Sequence, residues 1–329
     1  MLNTVTYNMK SARTTGAQAG FSLVELMISI AIFLAISGVV TQALMQMTNH
    51  QRTLWNRTQM HSGVRSATEL LQQEIGQAGR ISLPYTTTLN GAVIADTGTV
   101  QTIAVSQVIG GAAAASVSGI FVGEQLTIDA GASQETVKLT AVSTGGKTIS
   151  GIFTASHAAG APIMVLGGFA SGVVPLAPGF TNGSSATVLK LYGDTNGDGN
   201  MMYVEYTCDT VGGKLYRNVM AFDAATKSVP TSSEVLLGNI LPNPDGTSCF
   251  TYQPNPLPVV TGATYVLDVA VTLTVQTQIK DPMTNLFQKE TKALLNVSPR
   301  NVFHVWQLAS AGVTNRVQSM PPSVTNLLP

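Results

Sequence analysis

Charge is scarce in this sequence. Only 10% of its 329 residues are Asp, Glu, Lys or Arg, and 17 basic residues balance 17 acidic ones. That balance gives no chain-wide electrostatic footprint for nucleic acid. Cysteine is nearly absent, and the two present, Cys208 and Cys249, have no nearby histidine with which to build a zinc site. The four histidines, His50, His61, His157 and His304, lie in separate segments. No HExxH, GxSxG, CxxC or strand-borne GxGxxG is present, so the chain reads as a non-enzyme. Apolar residues still make up 44% of it, too many for disorder. Low charge together with 31 glycines suits a β-rich protein outside the cytoplasm.

The first twenty residues lack any acid and carry Lys10 and Arg13. Phe21 to Val40 then run almost without interruption as apolar residues. Twenty residues at helical rise span about 30 Å, the hydrocarbon thickness of a bilayer. Basic residues before the run predict a cytoplasmic N-terminal end. One residue disturbs this picture. Glu25 sits just inside the run, where a carboxylate costs about 2.5–3.5 kcal/mol and so calls for a partner.

The stretch Gly20-Phe21-Ser22-Leu23-Val24-Glu25 with its apolar helix resembles the type III signal of type IV prepilins. The resemblance implies a cleaved leader over 1–20, a cut between Gly20 and Phe21, and methylation of the new amino terminus by the prepilin peptidase/methyltransferase. It implies too that Glu25 pairs with the terminal amine of a neighbouring subunit. A buried carboxylate and a buried ammonium are each costly alone and tolerable together, so the pair would fix axial register. Ala19 stands where the family commonly has Lys or Arg, and Gln42 stands where many major pilins have a kinking proline; both departures suggest a minor subunit. Losing Lys10 and Arg13 would leave 15 basic against 17 acidic residues, the wrong sign for nucleic acid, and none is expected as a partner.

Beyond the apolar run, Met60, Val64, Ala67, Leu71, Ile75 and Ala78 fall three or four residues apart, one stripe of an α-helix. Gly79 offers a stop and Pro84 limits extension. One helix over 21–80 is therefore expected, with 21–40 in lipid or a filament core.

After Arg80 the pattern turns to short strands separated by Gly, Asn, Asp and Pro. Residues 81–184 read as a linker and an inserted β-rich module, its charge-poor core at about 96–168. Within it, Gly119–Asp129 reads as two strands around a turn. Residues 185–329 read as an antiparallel pilin-type β domain with a long strand from Tyr265 to Gln278. The expected architecture is thus α+β, a long N-terminal helix packed on an antiparallel sheet with an inserted module. The helix tail, Phe250-Thr251-Tyr252 and Pro299-Arg300-Asn301 resemble PilW-type minor pilins. J-type pseudopilins of type II secretion share the helix and general sheet. The resemblance implies a single-pass protein of the bacterial inner membrane that later joins a pilus. Its partners would be other major and minor pilins and the inner-membrane assembly platform. It would help initiate or cap the filament, or else carry an adhesive module.

Two further features bear on stability. Asp194, Asn196, Asp198, Gly199, Asn200 and Glu205 match positions 1, 3, 5, 6, 7 and 12 of a calcium loop. The same residues also suit a long hairpin turn, and the strand-like flanks leave Glu205's reach to a metal open. No cofactor is required, and a structural calcium is one of these two readings. Cys208 and Cys249, both outside the cytoplasm, most simply form a disulfide.

Overall fold

In the computed structural model, the described residues are 20–327 apart from 81, 84, 177–179, 199–200, 223, 225, 228–233 and 255–263. Of the leader expected over 1–20, residues 1–19 lie outside them. Helix α1 runs from Leu23 to Gln77, 55 residues without a proline. The chain divides into two compact units, 1–54 and 55–329. In the first, the apolar side chains of α1 are exposed on every side; Leu23, Met27, Phe33 and Leu34 are all more than 60% accessible.

In the second unit the predicted stripe is the buried one. Val64, Ala67, Leu71, Ile75 and Ala78 are all buried, with Met60 packed at their edge. Each large aliphatic side chain so buried contributes about 1.5–3 kcal/mol before entropy. The helix stops where Gly79 takes φ +83° and donates its N–H to the Tyr192 carbonyl at 2.8 Å. A Cβ at Gly172 would sit 2.3 Å from the Gly79 nitrogen, so that approach requires glycine.

Eight strands follow as one antiparallel sheet: β1 (Thr86–Leu89), β2 (Asp96–Ile109), β3 (Ala112–Ala113), β4 (Gln125–Ile128), β5 (Glu135–Lys138), β6 (Ala141–Ser143), β7 (Thr148–Phe153) and β8 (Pro162–Val165). The spatial order is β5-β4-β8-β1-β2-β7-β6, with β3 on β2. Leu89, Val105, Leu126, Ile128, Ile149 and Phe153 form a core of its own. Only the second of the two strands read over 119–129 forms, because Phe121 to Glu124 close a tight turn instead (Glu124 N–H to Phe121 carbonyl, 3.3 Å).

After the short β9 (Gly168–Phe169), strands β10 (Val188–Gly193), β11 (Met202–Asp209), β12 (Lys214–Ala221) and β13 (Glu234–Gly238) form an antiparallel sheet in sequence order. A second sheet holds β14 (Ile240–Leu241), β15 (Phe250–Pro254), β16 (Val266–Gln276) and β17 (Lys289–Val297), with β16 at its centre. Val269, Val271, Leu273 and Val275 alternate along β16 and join the core beneath α1.

The C-terminal segment departs from the all-β expectation. Helix α2 (Arg300–Ser310) follows Pro299, and β18 (Val317–Gln318), which pairs in parallel with β9, precedes the short α3 (Pro322–Thr325). Val302, Val305 and Ala309 are the buried face of α2. Their spacing is helical, and the proline before them suits a helix start.

Candidate processing and assembly site

The site begins with an exposed coil at Gly20 and Phe21, the latter 85% accessible. Ser22 ends it. The Ser22 hydroxyl accepts from the Val24 N–H at 3.3 Å, and the Glu25 carboxylate accepts from the Ser22 N–H at 3.3 Å. Serine followed three residues later by glutamate is a capping box, and each side chain satisfies an orphan donor of the first turn. Negative charge in that turn also complements the helix dipole. The signal is contiguous in Ser22-Leu23-Val24-Glu25, and it gives Glu25 a partner at its own helix end besides the one expected on another chain.

The residues behind Glu25 have no core to join. Among the described residues, α1 is the one helix long and apolar enough to cross a membrane, and none of its apolar window is buried. A helix apolar all round needs lipid or other apolar helices around it.

Residues 16–41 match the prokaryotic N-terminal methylation motif. No curated protein and no solved structure matches the chain. The motif, placed over an exposed coil and an unpartnered apolar helix, supports a membrane-anchored protein of type IV pilin or pseudopilin kind. It implies processing by prepilin peptidase and assembly with other pilins. Pilin-type proteins are structural.

The second candidate site is the segment from Asp194 to Glu205, whose positions Gly199 and Asn200 lie outside the described residues. The Asn196 amide donates to Asp198 Oδ2 at 2.9 Å, and the Asp198 N–H donates to Asn196 Oδ1 at 3.3 Å. Asp194 acts electrostatically on Arg80. Glu205 lies inside β11, opposite Lys190. Its Oε2 accepts from the Tyr203 hydroxyl at 2.7 Å and from Lys227 Nζ at 2.8 Å. Two cationic amines therefore crowd this carboxylate, and burial together with Lys227 pushes Lys190 down to about 8. Among the described residues no group of three or more His, Cys, Asp and Glu is placed to hold a metal. Among the described residues of this segment, Glu205 is engaged by Tyr203 and Lys227, and Asn196 and Asp198 are engaged by each other.

Cys208 and Cys249 are bonded, with Cα atoms 6.5 Å apart. The bond ties β11 to the residue just before β15, and so one sheet to the other.

Partners across the fold escaped the sequence. Glu74, on the buried side of α1, accepts from Arg217 and from the Tyr206 hydroxyl. Burial opposes the Arg217 charge, yet the hydrogen bond and charge of Glu74 hold its guanidinium above the ordinary value. Arg80 donates to Glu124 and to the Gly119 carbonyl, joining the end of the helix segment to the eight-stranded sheet. Desolvation pushes Glu124 up to about 7, against the pull of Arg80 and the Phe121 N–H. In the same sheet the buried His157 faces Glu135 Oε1 at 2.6 Å and Asp129 Oδ2 at 3.3 Å.

Proposed function

We propose that this chain is a minor pilin, a structural subunit that helps initiate or cap a type IV pilus. The observation that carries this reading is Glu25, a lone acid at the head of a helix that is apolar and exposed all round. Cleavage between Gly20 and Phe21 creates an amine one residue before Ser22. In the membrane Glu25 closes its own helix end. In the filament it exchanges that N–H for the terminal ammonium of an adjoining subunit, a charge-assisted contact that a register slip would lose. The apolar surface of α1 passes from lipid to neighbouring helices with little change in environment.

Gln42, where many major pilins have proline, and a globular part enlarged by the eight-stranded sheet favour a low-copy subunit over the bulk one. The test is removal of 96–168 in cells carrying the rest of the chain. Loss of pili supports a role in assembly. Intact pili with lost attachment would instead favour a pilus-borne adhesin, a reading supported by the separate core of the eight-stranded sheet. A secretion pseudopilin is the other alternative; there the deletion would stop secretion without changing surface pili.

A further inference from the structure

β10 and β17 are outer strands of the two sheets beneath α1, and their free sides differ. That of β10 is covered: the Val174 N–H donates to the Lys190 carbonyl and the Tyr192 N–H to the Gly172 carbonyl, both at 2.9 Å. The free side of β17 is open. Its backbone phase follows from β16, where Thr272 and Gln276 turn their N–H groups the other way, onto the carbonyls of Cys249 at 2.9 Å and Asn239 at 3.0 Å. Val271, Leu273 and Val275 therefore face β17, opposite Leu294, Lys292 and Glu290. Lys289, Thr291 and Ala293 are left with their N–H and C=O groups pointing outward. All three residues are exposed, and no described residue bonds to those groups.

A groove runs along each face of this edge. On the face toward α1, Arg65, Thr68, Glu69 and Gln72 line one of about 410 Å³ beside Lys292 and Leu294. On the other face, Leu241, Pro242, Pro244 and Thr274 line one of about 290 Å³ beside Lys289 and Thr291. An open edge between two grooves is the form that accepts an added strand, because main-chain bonds hold it and the grooves take its alternate side chains. Left uncovered, the same edge is a liability. Charge narrows the choice of strand. Glu290 lies against His61 and Glu69 against Arg65, so both acids here are already matched. Lys292 on one face and Lys289 on the other are exposed and have no ion-pair partner among the described residues.

We propose that β17 takes up an extended strand of an adjoining pilin subunit, with acidic side chains set against Lys289 on one face and Lys292 on the other. The inference rests on assembly with other pilins, the reading given above, and adds the surface that one of them meets. Its main-chain bonds would go to Lys289, Thr291 and Ala293.

Return of the full chain to cells that lack it provides the test. Pili restored by the wild-type chain uphold the reading on which the proposal rests; pili that never needed the chain sink that reading before any variant is compared. Thr291→Pro removes one outward N–H and leaves the β16 ladder its bonds. Thr291→Val removes the hydroxyl, which lies 2.7 Å from the Thr274 hydroxyl, and keeps the N–H. Pili should be lost with Thr291→Pro and kept with Thr291→Val, while both variants unfold in detergent at the wild-type midpoint. Should proline lower that midpoint, Lys289→Glu with Lys292→Glu takes its place; it leaves the backbone intact and should also abolish pili. Wild-type piliation by folded Thr291→Pro, or by the double lysine variant, overturns the proposal. Equal loss with Thr291→Val does so too, since it traces the defect to the hydroxyl. Self-association of the purified chain that Thr291→Pro abolishes would make a second copy the occupant, and likewise overturns it.

Discussion

The side-chain amide of Asn301 donates to the carbonyl oxygens of Gln77 and Gly79, both at 3.2 Å. A residue in the first turn of α2 thereby closes the end of α1, 224 positions earlier in the chain. The last carbonyls of a helix have no intrahelical donor, and here the donor comes from the C-terminal segment. Asn301→Ala should cost about 1–2 kcal/mol, the scale of a lost cap with a part-buried acceptor left over. Denaturant unfolding of the full chain in detergent checks this. An unchanged midpoint would mean that water replaces the amide.

Arg217→Ala should be more damaging. It strips the buried Glu74 of its cation and leaves the carboxylate with the Tyr206 hydroxyl. Breaking a buried pair from one side costs about 3–5 kcal/mol, reduced here because Arg217 is partly exposed. Replacing both residues at once, Glu74→Leu with Arg217→Met, should recover much of that loss. A double variant as unstable as the single one would show that the pair matters for more than mutual neutralisation.

Glu124 sets a pH dependence of defined sign. Its carboxyl is raised to about 7 in the folded chain, chiefly by burial. Between its ordinary value and about 7 the folded chain keeps a proton that the unfolded chain has released, so stability falls as pH rises through that window. The loss is at most about 3 kcal/mol. Asp129 and Glu135 are held below the ordinary carboxylate range and titrate before the window opens. Unfolding measured between pH 4.5 and 7 on wild type and Glu124→Gln separates the effect: the wild-type slope should be negative and the variant's flatter.

Calcium should leave the fold unmoved. With Glu205 bound to Lys227 and Tyr203, the 194–205 hairpin gains nothing from the cation. Thermal unfolding in calcium and in EGTA should coincide. A rise in Tm with calcium, abolished by Asp194→Asn, would show that Glu205 leaves Lys227 for the metal.

The disulfide makes its contribution through the unfolded chain. Closing a 41-residue separation is worth about 4 kcal/mol in the chain-entropy account. Cys208→Ala with Cys249→Ala should lower stability by that order.

What could be read from the sequence followed from short-range periodicity. The stripe from Met60 to Ala78 shows a 3.6-residue repeat whatever it packs against, and Gly79 marks its end. The alternating valines of β16 declare a strand. The N-terminal signal is contiguous, so it needs no fold to be recognised. The remainder depends on partners set by topology. Nothing near Glu74 announces Arg217, nor does anything near Arg80 announce Glu124. Glu205 matched a contiguous pattern, yet its hydrogen bonds were decided by Tyr203 in its own strand and by Lys227. Helix α2 went unseen for a different reason. Its three buried residues are a weak helical signal in a stretch otherwise grouped with strands.

The first residue of the processed chain decides whether the apolar helix stays on the mature protein. Intact-mass and N-terminal fragment analysis of the protein purified from its own membranes tests it most directly. The prediction is a chain that starts at Phe21 with a methylated amine and keeps Glu25 and the whole apolar helix. A native chain beginning downstream of Val40 would contradict it.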